Sequence, residues 1–233
     1  MKECYLKDKC KKYKNGTCMY PDFCIKKFKI DKFYEFAELS ELMKKPINLP
    51  VDIEDQASYN ELTNVIMRVE SFVDDGENLY IHSPITGNGK TAWSVNIIKA
   101  YIDSIWYEHD LSPVALFVNV PRYLLSIKDA IGNKNEYADR VRSCIMDVPL
   151  VVWDDIATKD ITEFESENLL SIIDYRFNSC LSNIFTSNVD PADLSGILGR
   201  RLSSRIVGNT KKILFTGKDQ RLYDSITGNK QNT

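Results

Sequence analysis

No apolar run in the sequence approaches the ~20 residues that a membrane-spanning helix needs. The lysine-rich opening MKECYLKDKCKK is not followed by the apolar stretch of a secretory signal. These two absences argue against a helical membrane anchor and against export, and the expectation is a cytoplasmic protein with no membrane partner. Internal repeats and low-complexity tracts are missing as well, so neither a repeat array nor a biased linker dominates the chain. Apolar residues are not scarce: 43% of the chain is hydrophobic and 11% aromatic, which is enough to bury a core and too much for wholesale disorder. A length of 233 residues suits one globular core plus a small appendage, since single domains run to ~100–200 residues. In a reducing cytoplasm the six cysteines point to metal binding or burial and away from disulfides.

The net charge of −3 conceals an asymmetry. Residues 1–33 hold ten lysines against four acids, a net +6 that leaves −9 for the rest. Such a block attracts nucleic acid or an acidic protein surface, or is only a solvated face; composition leaves both open. Within it Cys4, Cys10, Cys18 and Cys24 follow a C-x5-C-x7-C-x5-C spacing. Four thiolates close a tetrahedral zinc site, and a segment too small to bury a core gains folding energy from the metal. Structural zinc is the expectation, with an iron–sulfur cluster or four free thiols as alternatives. Tyr5, Tyr13, Tyr20, Phe23 and Phe28 interleave with the lysines, a composition suited to single-stranded nucleic acid or to a protein docking surface. Cys144 and Cys180 read as inert core residues.

From about residue 79, short apolar runs alternate with amphipathic stretches. Asn78–Ser83, Val114–Val120, Pro149–Ile156, Asn183–Ser187 and Lys212–Thr216 read as buried strands. Between them, Lys90–Trp106 places Trp93, Ile97, Ile98, Tyr101, Ile102 and Ile105 on one helical face. A second helix opens at Thr162 with Glu165 at capping-box spacing, and directs Phe164, Leu169, Ile172, Ile173 and Phe177 inward. The alternation predicts an α/β fold, a five-stranded parallel sheet with helices on both faces. The expected division is a cysteine-rich module over 1–33, a helical linker over 34–74 broken by Pro46 and Pro50, and the main domain over 75–233 with a frayed polar tail.

The first strand runs into Pro84-Ile85-Thr86-Gly87-Asn88-Gly89-Lys90-Thr91 and then into a helix. That is the context a phosphate-binding P-loop requires. Glycines let backbone N–H groups turn inward, the helix N-terminus adds positive potential, and the lysine reaches the β- and γ-phosphates. Residues Thr86–Thr91 are therefore the candidate ATP loop, with Thr91 on magnesium. Pro84 stands where the pattern has its first glycine, removing an N–H and stiffening the approach. Sixty-odd residues later, Val151-Val152-Trp153-Asp154-Asp155 is an apolar strand ending in two acids. It is expected as a Walker B strand beside the P-loop strand, with Asp154 on magnesium and Asp155 directing the attacking water.

Downstream come Thr186-Ser187-Asn188 at a strand end and Gly199-Arg200-Arg201-Leu202-Ser203-Ser204-Arg205-Ile206 in a helix. In this order the motifs resemble those of AAA+ ATPases, and more narrowly the replicative-helicase loaders of the DnaC/DnaI type, over roughly residues 75–222. The resemblance implies the AAA+ three-layer sandwich. It makes Asn188 the sensor that positions water near the γ-phosphate, and Arg205 the arginine finger offered to a neighbouring subunit, with Arg200 and Arg201 as rivals. It also implies ATP hydrolysis, self-association through the ATP sites, a hexameric replicative helicase as partner and single-stranded DNA as substrate. Two other readings share the motifs: an IstB-like transposition ATPase, and a nucleotide-gated adaptor with little turnover, which Asp155 in place of the commoner Glu would suit.

Overall fold

The computed structural model describes residues 13–14, 17–19, 24–49, 52–130 and 133–220. A two-strand antiparallel hairpin, β1 (Tyr13–Lys14) and β2 (Thr17–Cys18), precedes four helices, α1 (Ile25–Phe36), α2 (Glu41–Lys44), α3 (Gln56–Met67) and α4 (Val69–Asp74). Then follow β3 (Asn78–His82), α5 (Lys90–Ile105), β4 (Ala115–Asn119), α6 (Val120–Asp129), α7 (Glu136–Cys144), β5 (Leu150–Asp154) and α8 (Glu163–Asn178). The described chain closes with β6 (Ser182–Ser187), α9 (Leu194–Leu198), α10 (Arg200–Asn209) and β7 (Lys211–Leu214).

Strands β3 to β7 form one parallel sheet in the order β4-β5-β6-β3-β7. The interior strands β3, β5 and β6 are buried almost throughout because both faces of the sheet are covered. One face packs Leu79, Ile81, Val152 and Ile184 against α1, α3, α4 and α5. The other packs Tyr80, Val151, Trp153 and Phe185 against α6 to α10. The result is the three-layer α/β arrangement that the strand–helix alternation predicts. Among the described residues no helix is long and apolar enough to cross a membrane.

The local causes are legible residue by residue. In α5 the six residues expected to face inward are all buried. In α1, Ile30, Phe33 and Tyr34 recur at helical spacing and are buried on the same core, and Ala37 just beyond accepts a hydrogen bond from the Phe117 amide at 2.9 Å. This helix therefore crosses the 33/34 boundary drawn from the sequence and lies against the main domain. In α8 Leu169 and Ile173 are buried, while Ile172 and Phe177 are partly buried. Phe164, expected inward, is 48% exposed, because the first turn of α8 turns Glu165 inward, where it is buried and paired with Lys128. Cys180 is likewise no core residue: it is exposed in the turn after α8 with φ +53°. Cys144 is half-buried, its thiol donating to the Arg140 carbonyl at 3.2 Å.

Buried polar groups stitch the helical layer to the sheet. The Arg176 guanidinium donates to the Asn183 side chain at 2.7 Å and to the carbonyls of Ile145, Val148 and Ser182 at 2.8, 2.9 and 2.7 Å. Burial pushes it down to about 9, and the ring of carbonyls supplies the acceptors a buried cation needs. At the start of α8 the capping box forms in full. The Glu165 amide donates to Thr162 Oγ1 at 3.3 Å, and Glu165 Oε2 accepts from the Thr162 amide at 2.8 Å. Lys128 pairs with Glu165 Oε1 at 2.9 Å. Burial alone would raise this carboxyl, but the Thr162 amide, Lys128 and the Thr162 hydroxyl outweigh it and hold it at about 2.

A depressed carboxyl stabilises the fold above its unfolded pKa and loses that contribution as pH falls through the folded value. Glu165→Gln is expected to cost ~1–2 kcal/mol at pH 7, and the gap from wild type should close between about pH 5 and pH 2. Denaturant melts across that range check it; a gap independent of pH would contradict the assignment.

Candidate nucleotide site

The site lies at the C-terminal edge of the sheet, where β3, β5 and β6 end together and open into loops. Register fixes the alignment: His82 at the end of β3 pairs with Ser187 at the end of β6, and the Ser83 amide continues the ladder to the Ser187 carbonyl at 3.2 Å.

From Ser83 the chain turns sharply. Ser83 Oγ accepts from the Ile85 amide at 3.0 Å and from Asn88 Nδ2 at 2.6 Å. This hydroxyl-closed turn explains Pro84: the proline sits between the two bonded residues, where no N–H is called for and a fixed φ suits a turn. Gly87 and Gly89 take φ of +72° and +97°, the left-handed region that side chains rarely enter. Asn88 is fully buried and braces the loop from inside. Lys90 opens α5 and is buried, its ammonium donating to the Ile85 carbonyl at 3.0 Å and to Asn88 Oδ1 at 3.2 Å. The lysine thus lies across the loop it is expected to serve.

The second half of the site converges on one carboxylate. Asp154 Oδ1 accepts from Thr91 Oγ1 at 2.8 Å and from Thr186 Oγ1 at 2.8 Å. Thr186 Oγ1 also accepts from the Asp155 amide at 3.0 Å, so one hydroxyl braces both acids. Burial and the neighbouring Asp155 charge push the Asp154 carboxyl up, while hydrogen bonds from Thr186, Thr91 and Asn119 oppose the shift. Asp155 is half-buried with φ +56°, a strained backbone of the kind that clusters at functional sites. Its neighbour Ile156 is tied to β6 by its amide to the Thr186 carbonyl at 2.9 Å and by the Ser187 hydroxyl at 2.7 Å. A hydroxyl and a carboxylate held 2.8 Å apart are hard oxygen donors, the donor set that suits magnesium.

One expectation needs correcting. The strand ending in Asp154 does not lie beside the P-loop strand: β6 is inserted between them, pairing β3 on one side and β5 on the other. The stretch between the two motifs supplies β4, which pairs on the far side of β5, while the inserted strand comes later in the chain and its Thr186 supplies the bridge. The sequence pattern places Thr186 and Ser83 at strand ends, Thr186 within the Thr-Ser-Asn motif, but assigns neither a role of its own.

Asn188 follows β6 directly and is half-buried at the same edge. Arg205 lies elsewhere. It is on α10, 54% exposed, with Nε 2.8 Å from Asp174 Oδ1 on α8. With Arg200, Arg201, Leu170 and Ser204 it lines a surface groove of about 760 Å³ that includes none of the loop or Walker residues. Of the front cysteines, Cys4 and Cys10 lie outside the described residues. Cys18 and Cys24 are half-buried, and Cys24 Sγ caps α1 by accepting from the Lys27 amide at 3.5 Å. Among the described residues no group of three or more metal-ligating side chains occurs.

Neither protein-family models nor curated proteins give a match to the sequence. Solved structures do. A DnaC helicase loader is 20% identical with a TM-score of 0.60, covering 76% of this chain and 100% of its own. DnaI is 25% identical with a TM-score of 0.59, covering 78% of this chain and 93% of its own. The replication initiator DnaA, bound to AMPPCP and single-stranded DNA, is 15% identical with a TM-score of 0.56, covering 77% of this chain and 51% of its own.

Replacing Thr186 by Val should leave the Asp155 amide without an acceptor and Asp154 with one donor fewer, costing ~1–3 kcal/mol, whereas Thr186→Ser should keep both bonds and most of the stability. Paired denaturation curves decide it; equal losses would mean that only the methyl group matters. The chain has the AAA+ P-loop fold, and its resemblance in motif order to the DnaC/DnaI-type helicase loaders holds in three dimensions.

Proposed function

We propose that the chain is a cytoplasmic ATPase that loads a hexameric replicative helicase onto single-stranded DNA. The observation that carries this is the convergence of Lys90, Thr91, Asp154 and Asn188 at one sheet edge of a fold shared, over 76% of this chain, with a DnaC helicase loader. The DnaA neighbour bound to an ATP analogue and single-stranded DNA supports the same two ligands here. The zinc assignment to Cys4, Cys10, Cys18 and Cys24 stays a proposal, for which metal analysis of the purified chain is the check.

Lys90 exchanges two neutral acceptors, the Ile85 carbonyl and the Asn88 amide oxygen, for charged phosphate oxygens. An ammonium is attracted more strongly by a full negative charge than by a carbonyl dipole, so the exchange favours nucleotide. Thr91 and Asp154 would hold magnesium, which would supply positive charge to offset that of the bound phosphates. Asp155 and Asn188 orient the attacking water. Arg205 stands outside its own site and is offered to a neighbour. Its contact with Asp174 is a half-exposed ion pair worth ~0–1 kcal/mol, so leaving it on assembly costs little. The adaptor reading keeps one observation in its favour, the shorter Asp155 side chain, and differs in having almost no turnover on DNA.

Lys90→Ala should lose ATP binding while remaining folded. Arg205→Ala should bind ATP normally yet hydrolyse it ~10³–10⁵-fold more slowly. Mixing the two dead variants on single-stranded DNA should recover activity, because one still offers a finger and the other a sound loop. Silence from the mixture, with both variants oligomeric, would remove Arg205 and turn attention to Arg200 and Arg201.

A further inference from the structure

Beyond β7 the chain returns over the phosphate loop. Two acids from the segment before α3 guide it. Asp55, fully buried, accepts from the Thr216 amide at 2.6 Å, the Thr216 hydroxyl at 3.0 Å and the Gly217 amide at 2.9 Å. Asp52 accepts from the Lys218 amide at 3.2 Å. The next residue, Asp219, then meets the loop itself. Its carboxylate fills the space where a side chain on Gly87 would stand: a Cβ there would lie 2.0 Å from Asp219 Oδ1 and 2.7 Å from Oδ2. Thr86 Oγ1 donates to Asp219 Oδ2 at 3.5 Å, and the Gln220 amide donates to the Gly87 carbonyl at 3.2 Å.

We propose that Asp219 is an internal anion on the P-loop, which ATP must dislodge in order to bind. The proposal rests on the nucleotide reading of Thr86–Thr91 and goes beyond it. A loop whose backbone N–H groups turn inward attracts negative charge of any origin, and a carboxylate in contact with Gly87 and Thr86 sets a like charge beside the loop that would take the β- and γ-phosphates. If it stayed, it would repel them at short range. The four hydrogen bonds to Asp52 and Asp55 hold the arm in this place before any ligand arrives, so the competition is built in. Displacement of Lys218–Gln220 also pulls on the Asp52 contact, which transmits loop occupancy to the segment that joins the front of the chain to α3.

Isothermal titration of the full chain with ATP and magnesium, and separately with pyrophosphate, tests the proposal on wild type, Asp219→Asn and Asp219→Ala. Both variants should bind each ligand about tenfold tighter, the scale of one charge-assisted contact removed from competition. In wild type, ATP should speed hydrogen exchange at the Gln220 amide as its bond to Gly87 opens. Equal or weaker binding by the variants, with wild type binding ATP, overturns the proposal alone and would assign Asp219 to holding the bound nucleotide. Failure of all three chains to bind ATP would sink the nucleotide reading together with this one.

Discussion

The site depends on one hydroxyl-to-carboxylate bridge, the chain of hydrogen bonds from Thr91 through Asp154 to Thr186. It joins the first turn of α5 to β5 and β6, and so locks the phosphate loop to two strands that do not touch it through the backbone. Because the Asp154 carboxylate is buried next to Asp155, it is costly to keep ionised without donors or a cation. The two threonines lower that cost without removing it, and the cation proposed for this site would lower it further. Everything else at the sheet edge, including the left-handed backbone of Asp155 and the tie from Ile156 to β6, keeps that carboxylate in register with the loop.

Much of this was legible in the residues. All five strands stand within two residues of their expected bounds; for β3, β4 and β5 this is because a strand buried on both faces reads as an apolar run and leaves little ambiguity. The Thr162 capping box formed as its spacing implied. What could not be read was spatial order. Nothing in the run from Val151 to Asp155 says that β6 lies between it and the P-loop strand, since sheet order is decided by crossovers and not by sequence proximity. Helix α7 was hidden because its sequence EYADRVRSC is mostly polar, with only Tyr137, Ala138 and Val141 buried. Phe164 misled because its apolar side chain suggests an inward position, yet in the first turn of α8 the buried residue is Glu165, held by the capping box and Lys128.

The front of the main domain is tied to the nucleotide site more closely than a linker would be. Helix α1 packs on α5, and the acids at 52 and 55 grip the segment that carries Asp219 onto the loop. Since α5 begins with Lys90 and Thr91, both ends of this connection terminate at the phosphate site. That arrangement suits a protein in which nucleotide state has to be felt by a partner held at the front of the chain.

The most direct test of the account is equilibrium binding of ATP to the unmodified chain with magnesium present and with magnesium chelated. The bridge between Thr91 and Asp154 predicts saturable binding in the ~1 μM–1 mM range common for enzyme substrates, weakened several-fold by chelation. No binding at millimolar ATP, or binding indifferent to magnesium, would contradict the claim that this sheet edge is a magnesium–nucleotide site.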